Sequence, residues 1–256
     1  MRSFFAFFKK ELLACMRSGR MLILGILFFA FGIMNPAIAK LTPWLFDLLS
    51  EELAEGGWII TEVEVSALTS WTQFFKNIPL ALVVFVLLFS GSFTGEYTSG
   101  ALLLLLTKGL PRSRVVLAKW TIQELLWTAG YLLCAAVTYG YNAFYWDNDV
   151  AQHLLPALVF WWLFGAMTVS LMTLFSTMAK SHIGVLLGTG GVVLASYLAG
   201  LLPRLSKAVP TALMAGNALT MGTEMPGAYL GAVMVAAVAT VACPLAGILI
   251  FHKRQL

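Results

Sequence analysis

Long apolar runs separated by short polar stretches set the pattern of this chain. After a mixed start, apolar runs cover about 21–39, 77–93, 120–139, 154–175, 183–202 and 227–251. Each run is continuous rather than alternating, and as a helix about 20 apolar residues cross a hydrocarbon layer. A helix satisfies its own backbone hydrogen bonds, which lipid cannot do. A lipid-facing barrel would show short alternating strands instead. The pattern therefore predicts an all-α integral membrane protein with six transmembrane helices in one domain over residues 1–256.

The connections carry their own signals. In the first twenty residues, Phe4, Phe5, Phe8, Leu12 and Met16 recur at helical spacing, with Arg2, Lys9 and Arg17 mostly on other faces. That describes an amphipathic helix at the headgroup boundary. Ala37-Ile38-Ala39 resembles a signal-peptidase site, but the segment before the apolar run is long and aromatic, so the run reads as a retained span. Lys40 to Lys76 forms a long polar connection. Within it Pro43 to Leu53 suits a short amphipathic helix and Trp58 to Leu68 alternates like a short strand. Trp44, Trp58 and Trp71 suit the membrane–water boundary. Gly184, Gly188, Gly190, Gly191 and Gly200 in the fifth run allow close helix approach.

Composition agrees with the pattern and charge adds orientation. Of 256 residues 60% are hydrophobic and 11% charged, against about 25% charged in ordinary globular domains. Twelve of the sixteen basic residues, from Arg2 through Lys119 and Lys180 to Arg254, fall on one side of the predicted topology, leaving Lys40, Lys76, Arg204 and Lys207 on the other. Most acids mirror this, Glu11, Glu96 and Glu124 excepted. Positive residues mark the cytoplasmic side, so both termini are expected there. The net charge of +4 thus reflects topology rather than nucleic-acid binding. The protein is expected in the cell membrane, with a bacterial cytoplasmic membrane as the natural setting.

Candidate chemistry is sparse. Cys15, Cys134 and Cys243 are too far apart in sequence to suggest a disulfide framework or metal site, and the three histidines are equally scattered. No Walker-type loop is present, so no enzyme activity, cofactor or metal is expected in this chain. Glu124 is the single carboxylate close to hydrocarbon, a functional candidate by default; its plainer reading is that it snorkels or pairs with Lys119.

The segment from Gly95 to Trp120 is the most informative. It reads as two short helices with a break, too apolar at Ala101 to Leu106 for a free loop. Glu96 is expected early in the first helix, where an acid suits the positive helix end. Gly109 can end that helix in a left-handed conformation, and Pro111 suits the start of the next. Arg112, Arg114 and Lys119 are then expected at headgroup level, facing anionic lipid or an acidic partner.

This segment, with Glu96, Gly100-Ala101-Leu102, Leu105-Leu106-Thr107-Lys108-Gly109-Leu110-Pro111-Arg112 and Lys119, resembles the signature loop of type-2 ABC transporter permeases. Ala101 stands where threonine is more usual. Phe8-Lys9-Lys10-Glu11-Leu12 resembles that family's N-terminal interfacial helix. Leu174-Phe175-Ser176 with Lys180-Ser181 resembles its span-four exit, and Leu202-Pro203 with Pro210-Thr211-Ala212-Leu213 its last outside loop. The resemblance implies the membrane subunit of an exporter, in which two permease chains pair with two ATPase subunits that bind ATP and Mg. It further implies cytoplasmic coupling helices and an ATPase-coupling surface of Lys9, Glu11, Glu96, Gly100, Thr107, Lys108, Gly109, Pro111, Arg112, Arg114, Lys180 and Ser181. The nearly charge-free spans favour a hydrophobic or amphipathic cargo, such as a peptide or lipid-like compound. A stand-alone secondary transporter or channel is the alternative.

Overall fold

The computed structural model describes residues 2–55, 65–107 and 109–253. These residues form ten α-helices: α1 (Arg2–Arg17), α2 (Arg20–Glu55), α3 (Ala67–Phe89), α4 (Gly91–Thr98), α5 (Ala101–Thr107), α6 (Arg112–Tyr145), α7 (Leu154–Met178), α8 (His182–Gly200), α9 (Gly216–Thr220) and α10 (Leu230–Lys253). Among the described residues there is no strand. Of the strand expected over Trp58 to Leu68, residues 58–64 lie outside the described residues, and Ala67 and Leu68 already belong to α3.

Among the described residues five stretches are long and apolar enough to cross a membrane: Arg20–Phe46, Ala67–Tyr97, Leu154–Met178, His182–Gly200 and Pro226–Lys253. They make this a multi-pass membrane protein. The third expected span, about 120–139, is not among them and falls inside α6, which has 34 residues but whose apolar run is diluted by Gln123, Glu124, Thr128, Thr138 and Asn142.

Two connections differ from expectation. The first apolar run does not end near residue 39: α2 continues through Pro43 and Trp44 to Glu55, so the expected short amphipathic helix is the far part of one long helix. Leu41, Trp44, Leu45 and Leu48 there are all more than half exposed. The segment between α8 and α10 is a folded cap rather than an open loop. Trp161 donates its indole N–H to the Met214 carbonyl at 3.1 Å, the Gln152 backbone N–H donates to the Thr220 carbonyl at 3.1 Å, and Thr211, Leu213, Leu219 and Thr220 are buried.

The core is aromatic. Phe28, Trp71, Phe74, Phe85, Trp127, Tyr131 and Trp161 are buried and meet largely edge to face, the arrangement ring quadrupoles favour. Glycine makes room for it: a Cβ at Gly165 on α7 would fall on the Trp127 indole, and one at Gly130 on the Phe28 ring. In α8 the expectation holds for Gly188, which lies against Phe175, while Gly190 and Gly191 face open space. Polar contacts inside the bundle tie α2, α3 and α6 together. Asn77 donates to Asn35 at 2.8 Å, and Asn35 to Thr138 at 3.1 Å.

Candidate functional site

One end of the bundle gathers α1, α4, α5, the start of α6, the turn between α7 and α8, and the end of α10. A second apolar core lies here, built from Phe7, Phe93, Leu102, Val115, Val116, Ala118 and Phe251. It explains why the leucine-rich α5 is not a free loop: Leu102 is buried and Leu106 packs against the cluster.

The backbone follows the sequence at the breaks but not at every step. α4 continues α3 through Ser90, which keeps helical dihedrals, so Glu96 sits near the end of a helix and not early in one. Gly100, at φ +69°, turns the chain out of α4; Gly109, at φ +85°, follows α5. Glycine adopts this region at no steric cost. Pro111 is the residue immediately before α6.

Two lysines and two glutamates form a closed ring at the centre of this end. Lys10 Nζ lies 2.7 Å from Glu11 Oε1 and 2.7 Å from Glu96 Oε1. Lys119 Nζ lies 2.8 Å from Glu11 Oε2 and 3.1 Å from Glu96 Oε2. The charges alternate around the ring and join α1, α4 and α6. Lys119, only 3% exposed, also donates to the Ser92 carbonyl at 3.2 Å and lies 5.4 Å from the Phe93 ring centre. Burial alone would raise the Glu11 pKa, but Lys119 and Lys10 outweigh it and hold the carboxyl below its usual range. Burial likewise disfavours charge on Lys10, and its bonds to Glu11 and Glu96 overcome this and raise its pKa. Neutral bonds extend the ring: Gln123 donates to Ser92 Oγ at 2.9 Å and accepts from Thr173 of α7 at 3.1 Å.

This geometry corrects three expectations. Lys119 does not reach headgroups or pair with Glu124, because Glu11 and Glu96 hold it. Glu124 instead accepts from Trp120 at 3.1 Å and Ser170 at 2.9 Å. Arg112 faces the end of α10 and donates to the carbonyls of Phe251 at 2.9 Å and His252 at 3.1 Å. A cation there complements the negative helix terminus. On α1 the buried stripe is Phe7, Glu11 and Cys15, spaced four apart, while Phe5 and Met16 are more than half exposed.

The remaining expected residues lie at the rim of this end of the bundle. Lys9, Thr107, Gly109, Pro111, Lys180 and Ser181 are exposed and Arg114 is half-buried; Lys108 lies outside the described residues. Thr107 bonds the Leu104 carbonyl at 3.1 Å, and Ser181 caps α8 by accepting from the Gly184 N–H at 3.2 Å. The α7–α8 turn is beside α4, since α4 packs on α8. Sequence reasoning missed Lys10, Ser92 and Gln123 as partners here. The i, i+4 spacing of Phe7 and Glu11 marked the buried face, but the stronger run of phenylalanines drew the reading to the other faces. No cluster of three or more His, Cys, Asp or Glu side chains suited to a metal occurs among the described residues.

No curated protein and no solved structure matches the chain. A family model described as ABC-2 family transporter protein matches residues 5–214, from the first turns of α1 to the cap over α7, and so takes in the ring and its rim. The match spans most of the sequence and agrees with the apolar helices, and the chain therefore belongs to the ABC-2 transporter family, as a membrane permease rather than an ATPase.

Proposed function

We propose that this chain is the permease half of an ABC exporter, driven by a separate ATPase subunit that binds ATP and Mg. In this reading six helices cross the bilayer, α6 included, and both termini face the cytoplasm, because the basic residues concentrate at the end bearing α1 and α5. Two permease chains pair with two ATPase subunits. The cargo is hydrophobic or amphipathic, a peptide or lipid-like compound, in keeping with spans nearly free of charge.

The observation that carries the reading is the division of labour at the ring. Glu11, Glu96 and Lys119 close on one another and bind α1, α4 and α6 into one body. The exposed Lys9, Thr107, Gly109, Pro111, Lys180 and Ser181 belong to three separate segments at the same end of the bundle. A push on the rim is then delivered to α3–α4 and α6 together, since the ring leaves no slack between them. In this account Gly100 and Gly109 set the angle of α5, while Glu11, Glu96, Arg112 and Arg114 support the surface from behind.

Mild extraction of the tagged chain is expected to bring an ATPase subunit with it. Lys9→Glu combined with Lys180→Glu should lower stimulation of that ATPase while membrane insertion is unchanged. Transport that persists with no nucleotide-hydrolysing companion present would refute the proposal.

A further inference from the structure

The seam between α6 and α7 holds an acid that the coupling surface does not use. Glu124 lies one and a half turns beyond Lys119 on α6 and is half-buried. Its Oε1 accepts from Trp120 Nε1 at 3.1 Å and from Ser170 Oγ of α7 at 2.9 Å, and Trp120 Nε1 is also 2.9 Å from Ser170 Oγ. Both donors are neutral and both serve the same oxygen.

Among the described residues no cation pairs with this carboxyl. None of the ion pairs among the described residues includes it. Of the elements packed on α6, α7 carries no charged side chain over its length, and α10 none before His252 at its last turn. α3 offers only Lys76, near the opposite end. Of α2, Arg20 lies over the Phe89 ring and Lys40 over the Tyr145 ring at the far end of α6; on α1 Lys10 is held by Glu11 and Glu96, and Lys9 and Arg17 are exposed; Arg112 of α6 bonds the end of α10. Lys119 on α6 itself is closed into the ring. A carboxylate in an apolar setting without a counter-charge is strongly disfavoured and tends to take up a proton, and an acid within a membrane helix marks a functional site by default.

We propose that Glu124 is a proton-binding site in the wall of the bundle. The acid carries its proton on Oε2, while Oε1 accepts from Trp120 and Ser170. The inference rests on α6 crossing the bilayer, which belongs to the transporter reading. Because Ser170 belongs to α7, the site spans two helices, and any sliding of α7 along α6 alters how well the carboxyl is solvated.

Carbodiimides report this state directly. The carboxyl proton passes to a carbodiimide nitrogen as the carboxyl oxygen bonds the central carbon. Acyl migration to nitrogen then leaves a stable N-acylurea, and an ionised, paired carboxylate has no proton with which to begin. The chain in native membranes would be treated with hydrophobic dicyclohexylcarbodiimide or with a water-soluble carbodiimide, and its peptides mapped by mass. The hydrophobic reagent is expected to modify Glu124 and spare Glu11 and Glu96, and the water-soluble one to leave Glu124 unmodified. Glu124→Gln should abolish the adduct, and Ser170→Ala, which removes a donor that favours the charged form, should keep it. No adduct at Glu124 with either reagent overturns the proposal. Equal modification by the water-soluble reagent also overturns it, and places Glu124 in water, so that the span assigned to α6 fails with it; co-purification of an ATPase would then still test the transporter reading separately.

Discussion

Replacing Lys119 by methionine should be among the most damaging single changes in this chain. Its ammonium group is 3% exposed and contacts Glu11 at 2.8 Å and Glu96 at 3.1 Å. At an effective dielectric of about 20, each contact is worth roughly 5–6 kcal/mol before desolvation. Withdrawing the ammonium from water offsets several kcal/mol of that. The substitution also leaves two carboxylates sharing Lys10, whose side chain is 44% exposed. Breaking a buried pair from one side costs about 3–5 kcal/mol. For a chain of this length that corresponds to a fall in melting temperature of about 6–20 °C. Unfolding of the purified protein in detergent, followed by tryptophan fluorescence, measures it. Glu11→Gln in the Lys119→Met background should cost less than in the wild type, since part of its partner has already gone. A melting temperature within about 2 °C of wild type, or strictly additive effects in the double variant, would refute the ring as a unit of stability.

Two further outcomes follow from the same geometry. Because the Glu11 carboxyl is held below its ordinary range, its contribution to α1 docking is complete above the unfolded value of about 4.3 and is lost as pH falls through the depressed value; proteolysis at Arg17 or Arg20 should therefore rise on acidification below about pH 4 and not between about pH 5 and pH 8. Gly165→Ala drives a methyl group into the Trp127 indole and should cost about 1–3 kcal/mol, whereas Gly190→Ala, with nothing within 4 Å of its Cβ, should be neutral or stabilising by up to about 1 kcal/mol; thermal melts in the opposite order would sink the packing argument.

Much of the architecture could be read from apolar runs because lipid imposes one rule on every span. The break at Gly109 and Pro111 was legible for an equally local reason, since backbone conformation there depends on one residue, whereas the additional turn at Gly100 was not anticipated. Partner choice was not local. Lys119 reads as a headgroup anchor when only its own helix is considered, and its partners are 108 and 23 positions away. The folded cap over α7 was hidden for the same reason: residues 203–226 are polar and proline-rich enough to pass for a loop until Trp161 supplies a donor for the Met214 carbonyl. The merging of the expected amphipathic helix into α2 shows the polar stretch from Lys40 misread as the end of a helix. Pro36 and Pro43 both lie inside that helix, which membrane helices tolerate.

The length of α2 carries a consequence of its own. Its membrane-compatible part, Arg20–Phe46, has 27 residues and so extends about 40 Å, against a hydrocarbon thickness of about 30 Å. Upright, it would lift Leu41, Trp44 and Leu45 clear of the oil. Leaning brings more of the rod into the oil; its packing on α3 and α6 fixes how far it goes, and a thinner sheet of lipid favours a flatter lie.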